Sequence, residues 1–210
     1  MVDKGGRAAR SCGVSVWANE VEPDDEHVPG IYGAGGGGLQ FAETGVHVTL
    51  THGRTVATKT SHRRRYYENS VALLGESMVG DGVFEWEFLL SDGPQREGEC
   101  PFFGFGVCLE GIDVANTYRL FSSDEAWSMD AGEGALRGHG ESGEHGAGGF
   151  VVGDRLGCVL DLGAGTLSFR KNGGEHGEAV HSGIVGPVRR FVEFCYEEEA
   201  VSIMQGPVAG

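Results

Sequence analysis

The stretch GDRLGCVLDLGAGTLSFRKNG, residues 153–173, constrains the fold of this chain most strongly. Apolar residues alternate with others on both sides of the pause LGAG, and the second run ends at Asn172-Gly173. Alternation with a period of two is typical of a β-strand that buries one face. Asn-Gly is a turn sequence because both residues tolerate positive φ. The stretch therefore predicts two successive antiparallel strands and the start of a third.

The same period recurs along the chain. VHVTL (46–50) and RTVATKT (54–60) predict a hairpin, VFEWEFLL (83–90) a strand with one apolar face, and PFFGFGVC (101–108) a strand buried on both faces. TYRLFSS, AWSMD and ALRGHG follow as further short segments at a spacing typical of sandwiches. Thirty-eight glycines disfavour helices. We therefore expect two packed antiparallel sheets that bury Phe84, Trp86, Phe88, Leu156, Leu160, Leu167 and Phe169.

The N-terminal 38 residues differ in composition from the rest. They show little periodicity, carry the acidic run EVEPDDEH, and end in GAGGGG. Glycine-rich sequence of this kind behaves as a linker, and GAGGGG lacks the flanking strand and helix that a dinucleotide-binding fingerprint requires. The prediction is an irregular acidic and glycine-rich arm over residues 1–38, followed by one domain over residues 39–210.

Charge and cysteine usage limit the environment and the partners. The formal net charge is −15, with Asp+Glu 31 against Lys+Arg 16, so the chain repels nucleic acid and anionic membranes. Five cysteines form no C-x-x-C pair, which favours reduced thiols. Because no signal peptide or apolar span is present, the sequence predicts a cytoplasmic protein, in isolation or within a larger assembly.

No catalytic motif stands in a supporting context, so we expect no enzyme activity and no cofactor. His139, His145, His176 and His181 match no metal-ligand spacing, and no metal site is predicted. A lectin-like carbohydrate-binding sandwich is an alternative, and an exposed tryptophan with clustered Asn and Asp would distinguish it. A second alternative is a structural subunit of a larger assembly that uses its N-terminal arm.

Residues 152–179, VGDRLGCVLDLGAGTLSFRKNGGEHGEA, resemble the C-terminal signature of the SPRY domain family. Upstream, GVFEWE (82–87), FGV (105–107) and SDEAWSM (123–129) are similar to the family's Gly-x-x-x-Trp-Glu, Phe-Gly-Val and Asp-x-x-x-Trp segments. The resemblance covers roughly residues 39–205. His176 departs from it where a bulky apolar residue is usual, as does the Arg189-Arg190 pair, where Tyr-Pro is common.

This resemblance implies a bent antiparallel β-sandwich of the concanavalin-like kind and a non-catalytic function. SPRY domains capture a peptide segment of a protein partner through loops at one end of the sandwich, as adaptor, scaffold or substrate receptor. It gives no reason to expect a nucleic-acid, membrane or cofactor ligand.

Site residues are carried over by position from SPRY domains similar to suppressor-of-cytokine-signalling box receptors. Tyrosine suits such a surface because it buries a large area and keeps a polar tip. The glutamates at positions 193, 197, 198 and 199 bracket Tyr196 and would favour a basic ligand, whereas the run Arg63–Arg65 on the same rim would favour an acidic one, and the sequence leaves both preferences open. The predicted partner-binding residues are Arg63, Arg64, Tyr66, Tyr67, Pro101, Tyr118 and Tyr196.

Overall fold

The structure, a computed structural model, describes residues 39–60, 70–93, 103–115, 119–140, 143 and 148–204, without the side chains of 178 and 179. The predicted arm over residues 1–38 lies outside the described residues. The described strands, in chain order, are β1 (Phe41–Thr44), β2 (Val48–Thr51), β3 (Val56–Lys59), β4 (Ser70–Met78), β5 (Val83–Asp92), β6 (Phe103–Leu109), β7 (Ala126–Asp130), β8 (Ala135–Arg137), β9 (Arg155–Asp161), β10 (Thr166–Lys171), β11 (Gly174–His181), β12 (Val188–Phe194) and β13 (Ala200–Met204).

These strands form two antiparallel sheets. One sheet has the order β1-β4-β12-β6-β7-β8, and the other has the order β11-β10-β9-β5-β13-β3-β2. The hairpin predicted from VHVTL and RTVATKT is β2 paired with β3. The predicted all-β antiparallel sandwich is therefore confirmed, and the helical segments in the described residues are short 3-10 turns at His52–Arg54 and Leu120–Ser122.

Strands β5, β9 and β10 are adjacent and follow the alternation of the sequence. Trp86 and Phe169 both pair with Cys158, and all three side chains are buried between the sheets. Of the seven residues predicted to be buried, Phe84 is only partly buried and packs at the margin of the core. On the outer face Glu85 pairs with Arg170, whose Nη1 lies 3.0 Å away. Such an exposed ion pair contributes little stability.

Strand β6 passes unusually close to its neighbours, as its two glycines predict. A Cβ atom at Gly106 would lie 2.2 Å from the carbonyl oxygen of Trp127, and one at Gly104 would lie 2.2 Å from Cβ of Phe121. Both distances are far below van der Waals contact, so these positions admit only glycine. The strand is buried on both faces because Phe121 belongs to a second apolar layer outside the six-stranded sheet.

That outer layer corrects the prediction for TYRLFSS. AWSMD and ALR are strands as expected, but the segment around Leu120–Ser122 is a 3-10 turn whose Leu120 and Phe121 pack on Val71, Leu73 and Phe191. The apolar pair Leu120-Phe121 is buried against a sheet face rather than within a sheet. Sequence periodicity does not distinguish these two modes of burial over so short a run.

The turn predictions hold. Asn172 and Gly173 have φ of 54° and 83°, and Asn172 also accepts the backbone N–H of Arg155 through Oδ1 at 2.8 Å. The LGAG pause connects β9 to β10, and Ala164 N–H donates to Oδ1 of Asp161 at 2.8 Å.

Of the residues that depart from the family pattern, His176 and Arg190 lie inside the sandwich, whereas Arg189 lies on the outer face of β12 and pairs with Glu43. The His176 ring is buried, with its centroid 4.5 Å from that of Phe150, so it fills the space of an apolar residue. Arg190 lies on the inward face of β12, and its guanidinium carbon is 5.1 Å from the centroid of the Trp86 ring. Burial lowers the pKa of Arg190 to about 10, which leaves it protonated at neutral pH. Its cation is held by aromatic faces.

Candidate partner-binding site

The end of the sandwich that carries Tyr196 is called here the Tyr196 end. It is the end at which β3 and β12 finish and at which β4, β6 and β13 begin. Tyr196 stands in the connection between β12 and β13, and its side chain is 40% exposed.

The backbone around Tyr196 is fixed by one buried carboxylate. Glu199 is fully buried, and its Oε2 accepts the backbone N–H groups of Cys195 at 2.8 Å and of Tyr196 at 2.9 Å. A carboxylate that accepts two N–H donors within a turn is a charge-assisted local clamp. Glu198 adopts a positive φ of 71°, which closes the turn. Tyr196 is therefore displayed from a backbone of defined geometry.

Lys59 secures the same turn from the neighbouring strand. Its Nζ is buried and donates to the carbonyl oxygens of Phe194 at 3.3 Å and Cys195 at 2.9 Å. The backbones are also joined, because Lys59 N–H donates to the carbonyl of Glu199 and Glu198 N–H donates to the carbonyl of Lys59, each at 3.0 Å. The turn is thus attached to both sheets, since β3 and β12 belong to different ones.

The four glutamates predicted to favour a basic ligand divide into two pairs. Glu193 and Glu199 are fully buried, and Oε2 of Glu193 accepts the backbone N–H of Phe121 at 2.6 Å. Glu198 is exposed and Glu197 is partly exposed. Only the second pair faces outward, so the acidic bias of this surface is smaller than the sequence indicates.

The remaining predicted binding residues lie outside the described residues, as follows: Arg63, Arg64, Tyr66, Tyr67, Pro101 and Tyr118. Residues that flank them are described. Thr60 and Ser70, on either side of segment 61–69, stand at the Tyr196 end, as do Gly93 and Phe103, on either side of segment 94–102.

Residues 119–121, which follow Tyr118, also lie close to this end. Phe121 donates its N–H to Glu193 and packs over Gly104, and these two residues are register partners in β12 and β6. Both positions are within one residue of the Tyr196 end of their strands. Glu193 therefore holds the 3-10 turn Leu120–Ser122 against the outer face of the sheet beside the Tyr196 turn.

The described cysteines are not activated as nucleophiles, because their surroundings raise the pKa of each thiol. Burial raises the pKa of Cys108 to about 12 and that of Cys158 well above its ordinary value. Burial, together with the carboxylates of Glu199 and Glu193, also raises the pKa of Cys195. All three are free thiols that stay protonated at neutral pH, whereas a reactive cysteine needs a lowered pKa.

Three of the four histidines considered as metal ligands serve packing instead. His139 stacks on Trp127 with 4.6 Å between ring centroids, His176 on Phe150, and His181 Nε2 lies 2.8 Å from the carbonyl oxygen of Ser128. His145 lies outside the described residues. Within the part of the chain that the structure describes, no three His, Cys, Asp or Glu side chains gather in a group suited to a metal ion.

The exposed tryptophan that would favour a lectin is not found in the described ranges, where Trp86 and Trp127 are both buried.

Sequence reasoning missed Lys59 and the burial of Glu199. One signal was available for Lys59, which follows Ala57 on the inward face of β3. An inward lysine requires buried acceptors. No described helix has the length and apolar character needed to cross a membrane.

Fold and site together define a class, an antiparallel β-sandwich that displays connecting segments at one end. The family model of the SPRY domain matches residues 85–204, and the chain belongs to the SPRY domain family. SPRY domains are generally protein-interaction modules without catalytic activity.

Solved SPRY structures are similar to this chain in fold. The SPRY domain of human HERC1 is 21% identical, with a TM-score of 0.64 over 81% of this chain and 99% of that one. The TRIM65 PSpry domain is 15% identical, with a TM-score of 0.60 over 80% and 92%. A further human SPRY domain is 16% identical, with a TM-score of 0.60 over 79% and 98%. No curated protein matches the chain.

Proposed function

We propose that this protein captures a peptide segment of a protein partner at the Tyr196 end, as an adaptor, scaffold or substrate receptor, and that it has no catalytic activity of its own. The observation that carries the proposal is an aromatic side chain, 40% exposed, on a turn that Lys59 and Glu199 hold rigid. A rigid aromatic anchor binds at low entropic cost because little freedom remains to be lost.

The proposed surface combines Tyr196 with Tyr118, Pro101 and the segment that carries Arg63, Arg64, Tyr66 and Tyr67. The flanking residues at the Tyr196 end support this grouping. The outward carboxylates of Glu197 and Glu198 favour a partner with a basic side chain near Tyr196. Free thiols at Cys108, Cys158 and Cys195 support a reducing, intracellular location.

The test is a comparison of single variants of the full chain. Peptides selected from a displayed library on the wild-type protein are titrated against wild type, Tyr196→Ala, Tyr118→Ala and Val180→Ala. Each tyrosine variant should weaken binding by about tenfold or more, because truncated aromatic anchors cost on the order of 2 kcal/mol. Val180 is a matched control, being 47% exposed on the edge strand β11.

Melting temperatures separate lost binding from lost folding, and both tyrosine variants should stay close to wild type. If the Tyr118→Ala/Tyr196→Ala double variant binds the selected peptides as tightly as wild type, the binding surface lies elsewhere. A parallel series with Glu197→Gln and Glu198→Gln measures the charge preference. These substitutions should weaken the binding of only those peptides that contain Lys or Arg.

A further inference from the structure

The end of the sandwich opposite Tyr196 exposes several large apolar side chains. Val79 is 63% exposed, Val83 60%, Val185 75% and Leu109 37%. They stand in the β4–β5 connection, at the start of β5, before β12 and at the end of β6, and we call this region the valine end. Scattered apolar residues are normal on a surface, whereas several at one location indicate an interaction site.

These segments touch one another. A Cβ atom at Gly186, next to Val185, would lie 3.1 Å from the carbonyl oxygen of Met78 and 3.5 Å from Cδ1 of Leu162. Leu162 in turn donates its N–H to the carbonyl of Gly82 at 3.1 Å, beside Val83. Glu110 N–H reaches the carbonyl of Pro187 at 3.3 Å, which joins the end of β6 to the same cluster.

The valine end also carries carboxylates without cationic partners in the described residues. Asp81 and Glu110 are exposed and Asp161 is partly exposed. Oε1 of Glu110 accepts a hydrogen bond from Ser77, and Oδ1 of Asp161 accepts the N–H of Ala164, but neither contact supplies a positive charge. An occupant of this surface should therefore combine apolar with basic side chains.

The chain itself enters the sandwich facing this end. Gln40 and Phe41 run beside Gly75 and Leu74 in an antiparallel pair, and Gly75 N–H donates to the carbonyl of Gln40 at 2.9 Å. Going back from Phe41 to Leu39 therefore means advancing along β4 towards Met78. The 38 residues that precede Leu39 depart from a point about 10 Å from Val79, taking three residues of strand at about 3.3 Å each.

The first part of that preceding segment, before the acidic run EVEPDDEH at residues 20–27, combines apolar with basic side chains. Residues 1–19 contain Val14, Val16 and Trp17 together with the cations Lys4, Arg7 and Arg10, against Asp3 as the one carboxylate. Residues 18–38 separate Trp17 from Leu39, with acidic residues in their first half and glycines in their second, and a flexible chain of that length has a root-mean-square span of at least about 25 Å. The span exceeds the distance to be crossed, so the effective concentration of the segment at the valine end is about millimolar.

We propose that the valine end binds the chain's own N-terminal segment around Val14, Val16 and Trp17. A second copy of the chain is a poorer occupant, because a symmetric contact would set Asp81, Glu110 and Asp161 against the same carboxylates on a chain of net charge −15. The proposal is independent of peptide capture at the Tyr196 end.

Trp17 provides the measurement, since the other two tryptophans, Trp86 and Trp127, are buried. Acrylamide quenching of the full chain should find all three tryptophans protected. In a Val79→Asp/Val185→Asp variant one tryptophan should become accessible, and adding Trp17→Phe should remove that component. Losing the burial of either valine alone should lower the docking equilibrium constant of the N-terminal segment by about tenfold, and the double variant loses both.

Val46→Asp is the matched control, because Val46 is 54% exposed but lies near the Tyr196 end, beside His47, whose carbonyl accepts the N–H of Thr60. It should leave quenching unchanged, while Arg7→Glu with Arg10→Glu should raise it. The proposal is overturned if Trp17 is fully accessible in the wild type, or if Val79→Asp/Val185→Asp leaves it protected. Protection that disappears on dilution of the protein would also overturn it, in favour of a second copy.

Discussion

Replacing Glu199 tests the physical basis of the Tyr196 turn. Glu199→Ala removes a buried carboxylate that accepts the N–H groups of Cys195 and Tyr196 at 2.8 and 2.9 Å. Both donors would then lack this acceptor in a region where Cys195 is partly buried. A hydrogen bond to a charged group contributes about 1.5 to 3 kcal/mol, so two of them predict a loss of about 3 to 6 kcal/mol.

Glu199→Gln is the graded comparison. The amide keeps one oxygen acceptor at the same position but loses the charge and the second oxygen, and we expect about 1 to 2 kcal/mol of destabilisation. Because a domain of this size has a total stability of about 5 to 15 kcal/mol, Glu199→Ala should remain measurable in the cold, with a much lower urea midpoint.

Equilibrium urea unfolding, followed by circular dichroism and by tryptophan emission, gives both values. The m-value should not change, since the surface exposed on unfolding is the same. The reasoning is refuted if Glu199→Ala costs less than about 1 kcal/mol, the value of a single neutral hydrogen bond. Glu199→Gln should also reduce the free energy of peptide binding by more than it reduces the free energy of unfolding, because it loosens the backbone that displays Tyr196.

Three further predictions concern the core. Trp86→Ala should cost about 3 to 5 kcal/mol, measured by urea unfolding, because it removes a large buried ring beneath Arg190, and an unchanged midpoint would contradict the packing described above. Gly106→Ala should prevent folding as judged by circular dichroism, since its Cβ would meet Trp127 backbone at 2.2 Å, whereas Gly174→Ala, with its nearest atom at 3.6 Å, should be tolerated. Burial lowers the pKa of His176 below its ordinary 6.5, so the unfolded chain binds a proton that the folded one resists. Stability should therefore fall as the pH drops below about 6.5. The melting temperature of His176→Leu should depend less on pH in this range than that of the wild type. An equal pH dependence in both proteins would mean that other groups cause it.

Much of the sandwich could be predicted because its signals are local. The faces of β5, β9 and β10 follow from alternation within each strand, and Asn172-Gly173 marks a turn through the φ angles of those two residues alone. The glycines of β6 indicated a close approach of another backbone, although not that Phe121 and Trp127 supply it. The position of Tyr196 came from resemblance to the family, and its binding role stays a prediction.

The sequence by itself determined the strands with clear alternation, the faces that β5, β9 and β10 bury, and the turn at Asn172-Gly173, because a period of two and the φ preferences of Asn and Gly act within a few residues. Only the tertiary structure decided the fate of the charges. In EFCYEEE, four chemically equal glutamates become two buried hydrogen-bond acceptors and two outward carboxylates, according to whether the N–H groups of Phe121, Cys195 and Tyr196 lie within reach. Lys59 and Arg190 turn inward for the same reason: carbonyl oxygens of β12 and the face of Trp86, distant in sequence, are present there to replace water.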